Sequence, residues 1–187
     1  MSEFLQGWKR TDYCTSFTLE DVGRDVTLMG WVQTRRDFGA LVFVDLRDRS
    51  GIMQVVFDES VLEGDFDRVN ALRSEYVIAV RGKIVRRDPE TVNEKLPTGF
   101  IELKARELKV LSKAQTPPFE IEDDTAVREE LRLKYRYLDL RRPPMQRNIM
   151  MRSRISAAAR DYLVESGFLD IETPMLTKST PEGARDY

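Results

Sequence analysis

Phe43, Gln54, Glu102 and Arg36 are the side chains whose types together could do recognition chemistry. A flat aromatic ring can stack on an unpaired base, worth roughly 1–3 kcal/mol per base. An amide, a carboxylate and a guanidinium can then read the edge of that base. The wet face of any strand offers the same pattern, since singly exposed aromatics are common. A second group lies in the loop 177–187, where KSTPEGARDY sets the Glu182 carboxylate and Arg185 beside Gly183. A carboxylate there suits an ammonium cation, and Ser179, Thr180 and Gly183 suit a loop that moves. Taken alone, these residues are accounted for more simply as the turn chemistry of a surface loop.

Composition narrows the chemistry further. The chain has 187 residues, no histidine and one cysteine, Cys14. Serine–histidine catalysis, an internal disulfide, a cysteine-rich metal cluster and most zinc sites are excluded. No catalytic residue and no metal ligand stand out. The net charge is −2 and the pI about 5.5, whereas a nonspecific nucleic-acid coat is usually strongly basic. Any RNA contact must therefore come from a local patch. No apolar run approaches membrane-spanning length, and MSEFLQGWKRTDYC is neither a signal nor a basic presequence. The expectation is a cytoplasmic protein with no membrane partner.

The elements that must position these residues follow from periodicity. Residues 26–37 alternate as a strand, with Val26, Leu28 and Val32 on one face and Met29, Trp31, Gln33 and Arg35 on the other. A bulge near Arg36 would change its facing. Residues 41–48 form a second strand with Val42, Val44 and Leu46 inward and Phe43 outward. Residues 52–58 form a third with Met53, Val55 and Phe57 inward and Gln54 outward. A helix is expected within 60–75, from the capping-box spacing of Ser60 and Glu63. Further strands are expected at 76–87 and 100–111, the last with Glu102 facing away from Ile101 and Leu103. Five strands plus one helix in this order predict an OB-fold barrel over 1–111. Residues 112–126 read as a linker stiffened by Pro117-Pro118, with a solvated acidic run after it. Over 127–187 the pattern predicts a short helix at 127–138, a long one opened by Pro143-Pro144 and stopped at Gly167, and a strand at 168–176 ended by Pro174.

Two stretches carry a family resemblance. GWVQTRRDFGALVFVDLRDRSGIMQVVFD (30–58) resembles the anticodon-binding barrel of bacterial-type aspartyl-tRNA synthetases. LKYRYLDLRRP (133–143), the helix 145–166 and LVESGFLDIETPMLTKSTPEGARDY (163–187) resemble the entry of a class II synthetase catalytic domain. The resemblance implies an α+β start of that domain over 127–187. It implies anticodon-arm contacts by Arg36, Phe43, Gln54, Asn93 and Glu102. Glu182 would face the ammonium of substrate aspartate. The apolar stripe Met151, Ile155, Ala158 and Tyr162, together with Gly167, Phe168 and Pro174, would form a homodimer interface. The whole enzyme would be an aspartate–tRNA ligase using ATP and Mg2+, held by parts beyond Tyr187, with none bound by this chain alone, which would be inactive by itself. Alternatives are a lysyl- or asparaginyl-tRNA synthetase, or a stand-alone RNA-binding module.

Overall fold

A computed structural model describes residues 3–62 and 66–176. The alternating segments become five strands: β1 (Asp25–Asp37), β2 (Leu41–Arg47), β3 (Ile52–Asp58), β4 (Val77–Arg86) and β5 (Ile101–Ser112). They close into a barrel in the order β1-β2-β3-β5-β4. Neighbours are antiparallel except β3 and β5, which run parallel. Closure removes free strand edges. Gly30 and Gly82 permit it, because a Cβ at either would stand 2.3 Å or 2.1 Å from a carbonyl oxygen of the neighbouring strand.

Period-2 alternation builds the core as expected. Val26, Leu28, Val32, Val42, Val44, Leu46, Met53, Val55, Phe57, Ile101 and Leu103 are buried together. One helix, α1, spans only Phe66–Asn70 and adds Phe66 and Val69 to that core. Ser60 does not behave as a helix cap, since its N–H and hydroxyl both turn back to the Asp58 carboxylate. Glu63 lies outside the described residues. A single-turn 3-10 segment at Cys14–Ser16 packs on β3 and buries Cys14.

The chain divides into two compact units after Pro118. In the second, α2 (Glu129–Lys134) and α3 (Arg136–Asp139) precede the long helix α4 (Pro143–Glu165). Phe119 and Ile121, expected within a linker, are instead buried against Leu138. The acidic side chains that follow, Glu120, Glu122, Asp123 and Asp124, are exposed to solvent as expected, while Arg142 donates to the backbone carbonyls of Glu122 and Asp123 at 2.8 and 2.7 Å. Asp139 is fully buried, with Arg142 at 3.0 Å and Arg132 at 3.7 Å, and is also paired with Arg136.

Pro143 opens α4 at a position that has no use for its missing N–H. Gly167, at φ +88°, closes it. Phe168 N–H donates to Leu163 C=O and Gly167 N–H to Val164 C=O, both at 3.0 Å, the paired reverse turns that end many helices. The strand expected at 168–176 is not formed: these residues pair with no strand among the described residues and are exposed. A strand is a paired structure, and apolar alternation cannot supply the partner by itself.

Candidate nucleic-acid interface

Strand register assembles the outer face of the barrel in two rows. Arg36 pairs with Phe43, and Phe43 with Val56. One row along, Thr34 pairs with Asp45, and Asp45 with Gln54. The parallel register of Val55 with Leu103 sets Gln54 beside Glu102. Cross-strand partners share a face, so β1, β2, β3 and β5 all contribute to one surface.

Arg36 reaches that surface through a β-bulge between Val32 and Thr34. A bulge inserts one unpaired residue and reverses the parity beyond it. Arg36 therefore joins Phe43, whereas Arg35, expected on the outer face, does not. The Arg35 guanidinium turns to Asp37 (2.7 Å) and Asn70 (3.0 Å) instead.

Phe43 is half-buried and meets Phe38 edge-to-face, with centroids 5.6 Å apart and planes at 88°. Phe38 is 69% exposed, so the two rings form an aromatic corner at the rim of the face. Beside it runs a continuous polar chain. Arg36 forms a two-pronged pair with Asp45, both distances 2.9 Å, and donates to Gln54 Oε1 at 3.2 Å. Gln54 Nε2 donates to Glu102 Oε2 at 2.9 Å. Arg87 Nε lies 3.9 Å from the same carboxylate oxygen. Gln54 is on the side opposite Met53, Val55 and Phe57, as expected, but its neighbours cover it to 8% exposure.

Burial raises the Glu102 pKa above its ordinary value, opposed by the Gln54 hydrogen bond and by Arg87. Arg87 is itself buried, and that desolvation lowers its pKa against the pull of Glu102. Its Nε and Nη1 donate to the carbonyls of Ile101 and Thr91, while Nη2 has no hydrogen-bond partner among the described residues. Arg87 thus pins the loop between β4 and β5 and adds positive potential beneath Glu102. Asn93 is exposed in that loop, with its Oδ1 turned to Lys95 N–H. The loop is also tied to β3 where Thr98 donates to Ile52 C=O at 2.7 Å.

Arg36, Phe43, Gln54 and Glu102 are therefore one cluster, with Asn93 on an adjoining loop. Asp45 and Arg87 complete the cluster and were not singled out from sequence. Asp45 carried a usable signal, since it shares strand parity with Phe43. Glu182 lies outside the described residues. In the second unit, Ile155, Gly167, Phe168 and Pro174 are all exposed, Ile155 to 61% and Phe168 to 63%.

Comparison with known proteins bears on both units. Residues 26–111 match the OB-fold nucleic acid binding domain family, and residues 128–187 match the class II tRNA synthetases of the D, K and N group. The chain is 59% identical over 187 residues to the aspartate–tRNA(Asp/Asn) ligase of Caldanaerobacter subterraneus subsp. tengcongensis, covering all of this chain and 32% of that one. It is 61% identical over 180 residues to the corresponding protein of Symbiobacterium thermophilum, covering 96% and 30%. It is 55% identical over 188 residues to the aspartate–tRNA ligase of Agathobacter rectalis, covering 100% and 31%. The chain spans about a third of the length of these curated relatives. Among solved structures, asparaginyl-tRNA synthetase from Pyrococcus horikoshii bound to asparaginyl-adenylate superimposes with a TM-score of 0.77 at 27% identity, covering 94% of this chain and 39% of that one. The aspartyl-tRNA synthetase of Entamoeba histolytica shares the fold, with a TM-score of 0.80 at 21% identity over 94% and 42%.

Proposed function

We propose, from the premise that the chain belongs to the aspartate–tRNA ligase family of class II aminoacyl-tRNA synthetases, that the outer face of its barrel holds the anticodon arm of a tRNA. The observation that carries this is the meeting of Phe43, Arg36, Gln54 and Glu102 on one face of the barrel. A half-buried ring with a fixed plane is a stacking platform, and the polar chain beside it supplies donors and acceptors for base edges. Asn93 contributes from the loop next to it.

The whole protein attaches aspartate to its tRNA at the expense of ATP, with Mg2+ assisting, and works in the cytoplasm. The barrel over 1–111 selects the tRNA, residues 112–118 lead out of it, and the second unit, from Phe119 onward, begins the catalytic domain. Glu182 faces the ammonium group of aspartate. A second copy covers α4 through Ile155, and Gly167, Phe168 and Pro174 line the same contact. The apolar members of this set, Ile155 and Phe168, are accessible for such a contact and would gain by burial in it.

Relatives named for aspartate tRNA alone and for aspartate and asparagine tRNAs lie at similar identity, 55% and 59%. Charging assays on both tRNAs with the full-length enzyme distinguish these two specificities. The barrel assignment itself is tested by Phe43→Ala, which should weaken binding of the anticodon arm about tenfold or more. Unchanged affinity would overturn it.

A further inference from the structure

We propose that Asp45 is a positioning residue which, through Arg36, locks the side-chain amide of Gln54 against flipping and so makes this point of the face read a base in one sense only. The proposal rests on the RNA-binding reading of the barrel and extends it to a residue that need not touch RNA.

A glutamine amide has an acceptor end and a donor end of nearly the same shape. Left free, it can turn over and exchange them. Here Oε1 accepts from Arg36 Nη2 and Nε2 donates to Glu102 Oε2. Turning the amide over would set its NH2 against a guanidinium and its oxygen against a carboxylate. Both hydrogen bonds would become repulsions between like groups, in a side chain only 8% exposed. Water could not easily repair the loss.

The lock holds only while Arg36 stays in place. Arg36 is a long side chain, 43% exposed, and its contact to Gln54 at 3.2 Å is longer than its contacts to Asp45. The two-pronged pair with Asp45 fixes the guanidinium plane, since a fork meeting a carboxylate fits in one geometry. Asp45 is the cross-strand partner of Gln54, so the clamp sits directly beside the amide it controls.

The consequence is chemical selectivity. On the pairing edge, uracil and guanine place an exocyclic acceptor beside a ring N–H. Cytosine and adenine place an exocyclic donor beside a ring acceptor. An amide that flips freely can satisfy either kind, whereas a locked one, with one N–H and one lone pair remaining, satisfies one. Asp45 therefore governs discrimination between bases related by a transition, U against C or G against A, more than it governs overall affinity.

The test measures binding of the 187-residue chain to the anticodon arm of the aspartate tRNA and to arms carrying a single U↔C or G↔A change at each anticodon position. Asp45→Asn should reduce transition discrimination at one position about tenfold, while affinity for the unaltered arm changes less. Asp45→Glu, which can re-form the pair with Arg36, should restore most of the discrimination. Arg36→Lys, which keeps the charge but loses the fork, should behave like Asp45→Asn and serves if that variant folds poorly. Full discrimination in both Asp45→Asn and Arg36→Lys, or an equal loss for all arms, would overturn the proposal. Phe43→Ala run alongside separates the two levels. If it weakens every arm and leaves the ratios intact, the RNA face stands whatever Asp45 does. If it changes nothing, the binding face itself is wrong.

Discussion

Cys14 shows how burial settles the chemistry of a single residue. The thiol is fully buried, donates to Leu46 C=O at 3.6 Å and faces the Asp48 carboxylate, which also accepts from the Cys14 N–H at 2.8 Å. Burial first, then the Asp48 charge, pushes the thiol pKa well above its ordinary value. The thiolate is the reactive form, so native protein should resist alkylation at neutral pH. Labelling should appear only in denaturant, and mass spectrometry after a timed iodoacetamide pulse checks this. Composition had already excluded an internal disulfide; the contacts add that the thiol is inert. The same scale explains why Asp45 and Arg87 were not read from the sequence as part of the site. Their importance lies in which side chains they meet, and those partners stand on other strands.

At the scale of elements, the turn between β2 and β3 is held by one carboxylate. Asp48 accepts from Ser50 N–H at 2.8 Å, Ser50 hydroxyl at 2.7 Å and Cys14 N–H at 2.8 Å, tying the N-terminal segment to the barrel. Burial raises the Asp48 pKa, but these hydrogen bonds outweigh it and leave the carboxyl below its ordinary value. A depressed folded pKa gives stability that is present above the ordinary carboxylate pKa of about 3.9 and is lost as pH falls through the depressed value. Asp48→Asn should therefore destabilise the chain by about 1.5–3 kcal/mol at neutral pH. The gap between variant and wild type should shrink in acid, and urea melts at pH 7 and pH 3 would show it. The bulge in β1 belongs to this scale as well. Strand parity was legible up to Val32, because one buried face forces alternation. The facing of Arg35 and Arg36 beyond it was not, because a bulge is fixed by pairing with β2.

Across the whole molecule, the two units differ in how their apolar surface is used. The barrel buries its alternating residues in one core, whereas Ile149, Met151, Ile155, Tyr162, Phe168 and Leu169 are exposed along and just beyond α4. If a second copy covers this surface, the chain should show concentration-dependent dimerisation in analytical ultracentrifugation. Ile155→Asp with Phe168→Asp should raise the dissociation constant at least tenfold, since a buried unpaired charge is costly; an unaltered constant would remove these residues from the contact. The sequence by itself determined the barrel, its five strands and the inward set, because period-2 alternation and turn residues are local signals that one buried face makes obligatory. It also determined the long helix from its proline start to its glycine stop, since capping chemistry is local too. Only the tertiary structure decided that Arg36 crosses a bulge to reach Gln54, that Phe119 and Ile121 pack against Leu138, and that residues 168–176 form no strand. Each of those depends on which distant segment lies opposite, and that choice is made by packing and pairing between segments that no local pattern encodes.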